Sequence, residues 1–139
     1  MGFGNRGVAA YRNVSVSSAV PYADSVHLIQ MLFDGLMVSL ADAEGHIGRN
    51  DIKAKTESIG RATKILNGLQ GALDFEKGAE IAINLSDLYD YCVRRLLKAS
   101  IRNDPSLIRE VKGLIGEIQD AWSALPELLS TNSSVPFAS

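Results

Sequence analysis

The longest stretch of this sequence without a proline lies between Pro21 and Pro105. Apolar residues recur within it at every third or fourth position, which is the spacing of one face of an α-helix. Proline breaks a helix by removing a backbone hydrogen bond and by clashing with the preceding turn. The pattern therefore predicts a chain of long amphipathic helices, and no segment shows a strand signal.

Capping residues and turn residues divide this pattern into four helices. Helix 1 is predicted to begin at Asp24, whose carboxylate can accept N–H groups of the first turn, and to stop at a turn over residues 48–51. Helix 2 is predicted over about residues 52–73, a loop over 74–79, and helix 3 over about 80–101. An N-cap acid followed by proline, Asp104-Pro105, starts helix 4. The apolar faces are Ile29, Leu32, Leu36, Leu40, Ala43 and Ile47 in helix 1, Ile59, Ala62, Leu66, Leu69 and Leu73 in helix 2, Ile81, Leu85, Leu88, Cys92, Leu96 and Ala99 in helix 3, and Ile108, Val111, Ile115, Ile118, Trp122 and Leu125 in helix 4.

Helices of this length joined by short turns favour an antiparallel four-helix bundle. The chain has 139 residues, which is the size of one domain. We therefore predict an all-α fold with a bundle over residues 24–129. An N-terminal arm is predicted over residues 1–23, and a short disordered tail over residues 130–139.

Composition excludes several classes of function. Lys and Arg number 14 against 16 Asp and Glu, a net charge of −2, so a nucleic-acid partner is disfavoured. One cysteine and two histidines are too few for the usual zinc and di-iron sites, and no glycine-rich phosphate loop is present, so neither a metal nor a cofactor is expected. No signal peptide or membrane-spanning run is recognised. The sequence predicts a cytoplasmic protein that is not an enzyme and does not insert into a membrane.

The informative feature is an excess of apolar residues on helices 1 and 3. Helix 3 is apolar over about half of its circumference, more than the stripe of about 100° that packing in a bundle requires. Met31 and Val38 lie away from the core face of helix 1, and Tyr91 lies on the polar face of helix 3. One interpretation is that these two helices are simply the more buried pair. The other is that they form a groove for an apolar helix of a partner.

Motifs along the chain add a second line of argument. They are LIQMLFDG at residues 28–35, LDFEKGAEIA at 73–82, NLSDLYDY at 84–91, RRL at 94–96, Asn103-Asp104, Ala121-Trp122, and Ala10-Tyr11 with Val14. In order and spacing, this set resembles the flagellar export chaperones for flagellin, the FliS family. The chain departs from the family pattern at Asp24-Ser25, where Ser-Pro is frequent, at Ala79, where the family has a second glycine, at Cys92 in place of Met, and at Ser100 in place of Asn.

The resemblance implies a non-enzymatic helical bundle that binds the C-terminal segment of flagellin in the cytosol. Covering that segment would prevent premature polymerisation and keep the subunit competent for export. The expected contact residues lie on helices 2 and 3 and are Leu69, Leu73, Ile81, Asn84, Leu85, Leu88 and Tyr91. The resemblance also implies that Tyr11 and Val14 of the arm act as a plug over this surface in the free protein.

Other partners and another class of function stay open from the sequence. The resemblance suggests an export-gate protein or an anti-sigma factor as secondary partners, and it leaves a homodimer open. The alternative is a self-associating helical adaptor or structural bundle that uses the same apolar faces. A stable oligomer without any client would distinguish that alternative from a chaperone.

Overall fold

The computed structural model describes the backbone of residues 22–131 and the side chains of residues 26–122. This part of the chain consists of four helices: α1 (Tyr22–Gly48), α2 (Ile52–Gly71), α3 (Phe75–Arg102) and α4 (Pro105–Thr131). Connections of two or three residues return the chain along its previous helix, so consecutive helices are antiparallel. The predicted all-α, antiparallel four-helix bundle is confirmed. The plug residues Tyr11 and Val14 lie outside the described residues.

Side-chain caps and left-handed residues set most of the helix boundaries. Asp51 caps α2 by accepting the N–H of Ala54 at 3.1 Å. Asn50 and Asn103 follow α1 and α3 with φ values of 57° and 52°, a conformation that asparagine tolerates at helix ends. Asp104 accepts the N–H of Ser106 at 2.9 Å at the start of α4, as its sequence predicts.

Two outer boundaries differ from the prediction. α1 begins at Tyr22, directly after Pro21, so the predicted N-cap Asp24 lies inside the helix. A proline restricts the backbone conformation of the residue before it more than that of the residue after it. A helix can therefore begin at the residue that follows a proline. At the other end, α4 continues through Pro126 to Thr131, two residues into the predicted tail.

The predicted loop over residues 74–79 is largely wrong. Asp74 accepts the N–H groups of Glu76 and Lys77 at 3.0 Å each, and the N–H of Gly78 reaches its carbonyl oxygen at 2.7 Å. These bonds close a helical turn five residues before the predicted start of helix 3. The only interruption within α3 is Ala79, with φ 46° and ψ −118°, a conformation favoured by glycine.

The helices pack as a ring in which each contacts two neighbours, so that α1 lies opposite α3. Glu44 of α1 bonds Arg109 and Lys112 of α4 at 3.0 and 3.1 Å. Lys55, near the start of α2, donates to the carbonyl oxygen of Ser100 near the end of α3, at 2.9 Å. These pairs connect opposite ends of neighbouring helices, which confirms the antiparallel register.

The core forms where the four predicted apolar faces meet. Phe33, missing from the predicted face of helix 1, is fully buried, because that face is wider than a three- and four-residue spacing implies. The buried apolar residues of the cluster are Phe33, Leu36, Leu40, Ala43, Ile47, Ile59, Ala62, Leu66, Leu69, Tyr89, Cys92, Leu96, Ala99, Leu107, Ile108, Val111 and Ile115.

Helix α1 is the most apolar of the four. By length and composition alone, its segment Val26–Gly48 could cross a membrane. In the fold, however, Leu36, Leu40 and Ala43 of this segment are fully buried among the other helices. Its apolar character is therefore accounted for by its place in the core of the bundle, while Met31 and Val38 remain exposed, as predicted.

Candidate partner-binding surface

Five of the seven predicted contact residues lie on α3, four of them in its first half. Residues 81, 84, 88 and 91 are spaced by three or four positions, so they share one side of the helix. Ile81 is 39% exposed and Asn84 is exposed, whereas Leu88 is half-buried. Leu85 is also half-buried and packs against the core. The structure therefore brings this part of the prediction together as one strip.

This strip lies on the side of α3 that faces α4. Tyr91 and Arg95 of α3 both bond Glu110 of α4, which fixes the register of the pair. Because the helices are antiparallel, the strip over residues 81–88 runs beside residues 114–122 of α4. Half-buried apolar side chains of α4 therefore line its other edge, namely Leu114, Ile118 and Trp122.

The sequence assigned Trp122 to the core. It gave no indication that Leu114 and Ile118 belong to this surface. Trp122 does pack against the core, but it is only partly buried. Periodicity places a residue on a face without giving its distance from the next helix. The open edge of α4 could be found only from the register of α3 against α4.

The remaining two predicted residues lie on the other flank of α3. Leu69 is 3% exposed and belongs to the core, and Leu73 is half-buried in the connection after α2. The α2 flank is closed by Gln70, whose side-chain amide donates to the carbonyl oxygen of Ser86 at 3.2 Å and to Asp90 at 2.9 Å. Leu69 can thus support a binding surface from beneath but does not present a free side chain to a partner.

A charged cluster closes the end of the strip nearest the middle of α3. The Tyr91 hydroxyl donates to Glu110, and the Arg95 guanidinium bonds the same carboxylate at 2.8 Å while lying 5.6 Å from the Tyr91 ring centroid. The hydrogen bond from Tyr91, and then that from Arg95, lowers the pKa of Glu110, and the same bond raises the pKa of Tyr91. Tyr91 therefore joins α3 to α4 and leaves only part of its ring for a partner.

The described residues offer binding chemistry and no catalytic arrangement. Burial raises the pKa of the Cys92 thiol to about 11, so this buried thiol stays protonated at neutral pH and is a poor nucleophile. Among the residues the structure describes, no group of three or more His, Cys, Asp or Glu side chains could hold a metal ion. An apolar strip with an exposed amide on a rigid helical frame is typical of a protein that binds another polypeptide.

Fold and surface thus define a helical-bundle binding protein, and comparison with known sequences identifies its family. The family described as "Flagellar protein FliS" matches residues 7–128. The flagellar secretion chaperone FliS of Salmonella typhimurium is 47% identical over 129 residues, covering 92% of this chain and 96% of that protein. FliSB of Pseudomonas aeruginosa is 41% identical over 115 residues, covering 83% of this chain and 91% of that protein, and FliS of Escherichia coli is 42% identical over 118 residues, covering 84% and 87%.

The chain belongs to the FliS family of flagellar secretion chaperones. The family consists of chaperones and not of enzymes, in agreement with the prediction from the sequence. The resemblance read from the ordered motifs is confirmed. A chaperone of flagellar secretion acts on an exported flagellar subunit, which makes a polypeptide client the expected partner.

Proposed function

We propose that this protein is a cytosolic chaperone that binds the C-terminal segment of flagellin, prevents its premature polymerisation and keeps it competent for export. The observation that carries this proposal is the half-open strip between α3 and α4. Ile81, Leu85 and Leu88 hold apolar surface at the edge of a rigid bundle, and Asn84 presents an amide beside them.

The strip suits a client segment that is unstructured when free. Such a segment loses conformational freedom on binding, so its affinity must come from the burial of apolar surface. An amphipathic helix laid along α3 and α4 would cover the strip with its apolar face. The Asn84 amide can donate to a client carbonyl group and accept from a client N–H, which satisfies backbone groups at the end of such a helix. Binding of the client segment in this way requires no nucleotide.

Substitutions at exposed positions of α3 test the location of this site. Ile81→Ser with Asn84→Ala removes an apolar contact and a hydrogen-bonding group while leaving the core intact. We expect calorimetry with the cognate flagellin to show an affinity lower by about tenfold. The matched control is Ile83→Ser, which changes an exposed isoleucine on the opposite side of α3. Equal affinities of the two variants would exclude the strip as the client site.

The role of the arm is a separate part of the proposal. Tyr11 and Val14 would cover the apolar strip in the free protein and leave it when the client binds. Deletion of residues 1–16 should then raise the client affinity and promote self-association, since it uncovers apolar surface. Sedimentation velocity and calorimetry measure both effects. A truncated protein with unchanged oligomeric state and unchanged affinity would rule out the plug while leaving the client site intact.

Self-association is the second candidate function, and exposed side chains favour it. Met31 and Val38 lie on the outer side of α1 at 54% and 60% exposure, outside the strip proposed for the client. A stable oligomer of the full-length chain without flagellin, abolished by Val38→Ser, would support an adaptor or a homodimer. An export-gate protein and an anti-sigma factor remain proposed secondary partners.

A further inference from the structure

The outer side of α3 carries charges of opposite sign in its two halves. Because α1 lies opposite α3 in the ring of helices, this side of α3 points away from the rest of the bundle. Its residues are spaced by three or four positions, so they form one stripe along the helix. This stripe is called the outer α3 face and comprises Glu80, Ile83, Asp87, Asp90, Arg94, Lys98 and Ile101.

The acidic residues of the outer α3 face all precede its basic residues. Glu80, Asp87 and Asp90 lie in its first half, which contains no cation. Arg94 and Lys98 lie in its second half, which contains no carboxylate. The face is thus nearly balanced in charge, and each half attracts the charge that the other half carries.

These charges are not neutralised within the described part of the chain. Neither Glu80 nor Asp87 forms an ion pair with a described residue, and the two cations of the face form none either. Asp90 uses one carboxylate oxygen to accept a hydrogen bond from Gln70 at 2.9 Å, and its other oxygen is available. The charges of both halves can therefore bind a partner.

Exposed isoleucines lie towards the two ends of the outer α3 face. Ile83 is 53% exposed and Ile101 is 73% exposed. Spacing that alternates between three and four residues is that of the seam through which two helices pack in a coiled coil. The outer α3 face therefore has the geometry to pack against one further helix.

A second copy of α3 in antiparallel orientation matches both halves of the face at once. A two-fold axis across the centre of the stripe places the acidic half of each copy on the basic half of the other. The opposed pairs, one residue from each copy, are Asp90 with Arg94, Asp87 with Lys98, and Ile83 with Ile101.

The helical positions of these residues agree with such an axis. A two-fold axis requires the members of a pair to lie on the same flank of α3, because it reverses the helix direction and preserves the flank. Helical periodicity places Asp87 and Lys98 on the flank towards α4, and it places Ile83 and Ile101 on the flank towards α2. The pairing is thus consistent in position as well as in charge.

Other occupants match only part of this face. An anionic membrane would be repelled by the three carboxylates of the first half. A helix with one sign of charge would be repelled by one of the two halves. A second copy related by two-fold symmetry presents the opposite charge to each half.

We propose that two copies of this protein associate through the outer α3 face, with their α3 helices antiparallel about a two-fold axis. The face is about 32 Å long and about 10 Å wide, so it buries under half of the area of about 800 Å² per partner that a stable interface requires. The dimer is therefore transient, with a dissociation constant of about 0.1 mM. The client strip and the exposed residues of α1 lie outside this interface, so the proposal depends neither on the client nor on self-association through α1.

Sedimentation equilibrium of the full-length protein tests the proposal. At protein concentrations up to about 0.5 mM and about 0.05 M salt, the protein should show a reversible equilibrium between monomer and dimer. Raising the salt concentration to about 0.5 M should weaken the association by about tenfold, because exposed ion pairs are screened.

Charge reversals test the antiparallel pairing directly. Asp87→Lys and Lys98→Glu each place like charges at two symmetry-related positions, so each should raise the dissociation constant by about tenfold. An equimolar mixture of these two variants should associate as the parent does, because both pairs of the mixed dimer again join opposite charges. The matched control Glu57→Lys reverses an exposed charge on α2 and should leave the dissociation constant unchanged.

A parent protein that stays monomeric up to about 0.5 mM would overturn the proposal, since the dimer would then be weaker than the face predicts. A mixture of the two charge-reversed variants that fails to associate would overturn it too, as would dissociation of the dimer by Val38→Ser, which would assign self-association to α1. The flagellin affinity of Lys98→Glu is measured in parallel and should equal that of the parent. Failure of the dimer is thereby distinguishable from failure of the proposed chaperone function.

Discussion

The substitution Ala79→Gly tests the most unusual backbone conformation of the bundle. Ala79 has φ 46° and ψ −118° at the break after the first turn of α3. This conformation is nearly restricted to glycine and costs an alanine about 1–3 kcal/mol. Replacing Ala79 with glycine relieves this strain. About 0.4–1 kcal/mol of the gain in unfolding free energy is lost again, because glycine gives the unfolded chain more conformational freedom. Since the Ala79 side chain is exposed, no packing is lost, and the net gain in unfolding free energy should be about 1 kcal/mol.

Urea denaturation and thermal unfolding measure this gain, which corresponds to a rise in Tm of about 4 °C for a domain of this size. The matched control is Ala54→Gly, an ordinary helical position in the first turn of α2, where glycine should lower the unfolding free energy by up to about 1 kcal/mol. The two substitutions are thus expected to have opposite signs. If Ala79→Gly lowered the stability as Ala54→Gly does, the positive φ at this position would be refuted.

Three further predictions concern bonds between helices. Lys55→Met should lower the unfolding free energy by about 1 kcal/mol in urea denaturation, because two oxygen atoms at the end of α3 lose their donor, and unchanged stability would contradict this. Two cations of α4 hydrogen-bond Glu44 and hold its pKa below the ordinary value of 4.5, so this carboxylate stabilises the fold above about pH 4.5 and the effect disappears as the pH falls through its lowered pKa. Glu44→Gln should therefore be less stable than the parent at pH 7 by under about 1 kcal/mol, a difference that shrinks in denaturation curves as the pH falls below about 4.5, and a pH-independent difference would contradict the ion pair. Tyr91→Phe should raise the pKa of Glu110 toward its ordinary value, which NMR titration of the carboxyl carbon measures, and an unshifted pKa would show that the hydrogen bond is absent.

Much of the bundle follows from the sequence because local chemistry decides it. The periodic apolar positions from Leu36 to Ile47 identify the buried face of α1. Asp104-Pro105 defines the start of α4, since the carboxylate cap and the fixed φ of proline act within a single turn. The connection at residues 49–51 likewise contains its own left-handed residue, Asn50, and its own cap. Such features need no knowledge of the neighbouring helices.

The start of α3 shows where local patterns mislead. Gly78 and the polar residues around it indicate a loop, because glycine has a poor helix propensity. The cap provided by Asp74 outweighs this preference over one turn, and the chain then breaks at Ala79. The opposing tendencies are of similar size, about 1 kcal/mol each, so the sequence alone does not determine which prevails.

The candidate surfaces depend on contacts between helices, which periodicity does not specify. The sequence selected Ile81 and Asn84 of α3 as contact residues, and both are exposed in the fold, but it also selected Leu69, which the fold buries in the core. Tyr91 was recognised as an aromatic residue on a polar face, while its bond to Glu110 depends on the register of α3 against α4. The ordered family motifs therefore identified the class of protein more firmly than they located its binding residues.

The measurement that tests the central proposal most directly is calorimetry of the full-length chain with its cognate flagellin and with the same flagellin lacking its C-terminal segment. The proposal predicts 1:1 binding to intact flagellin with a negative change in heat capacity, because a disordered segment folds onto apolar surface. It also predicts that truncation abolishes this binding. Equal affinity for the intact and the truncated flagellin, or no binding to either, would contradict the proposed client.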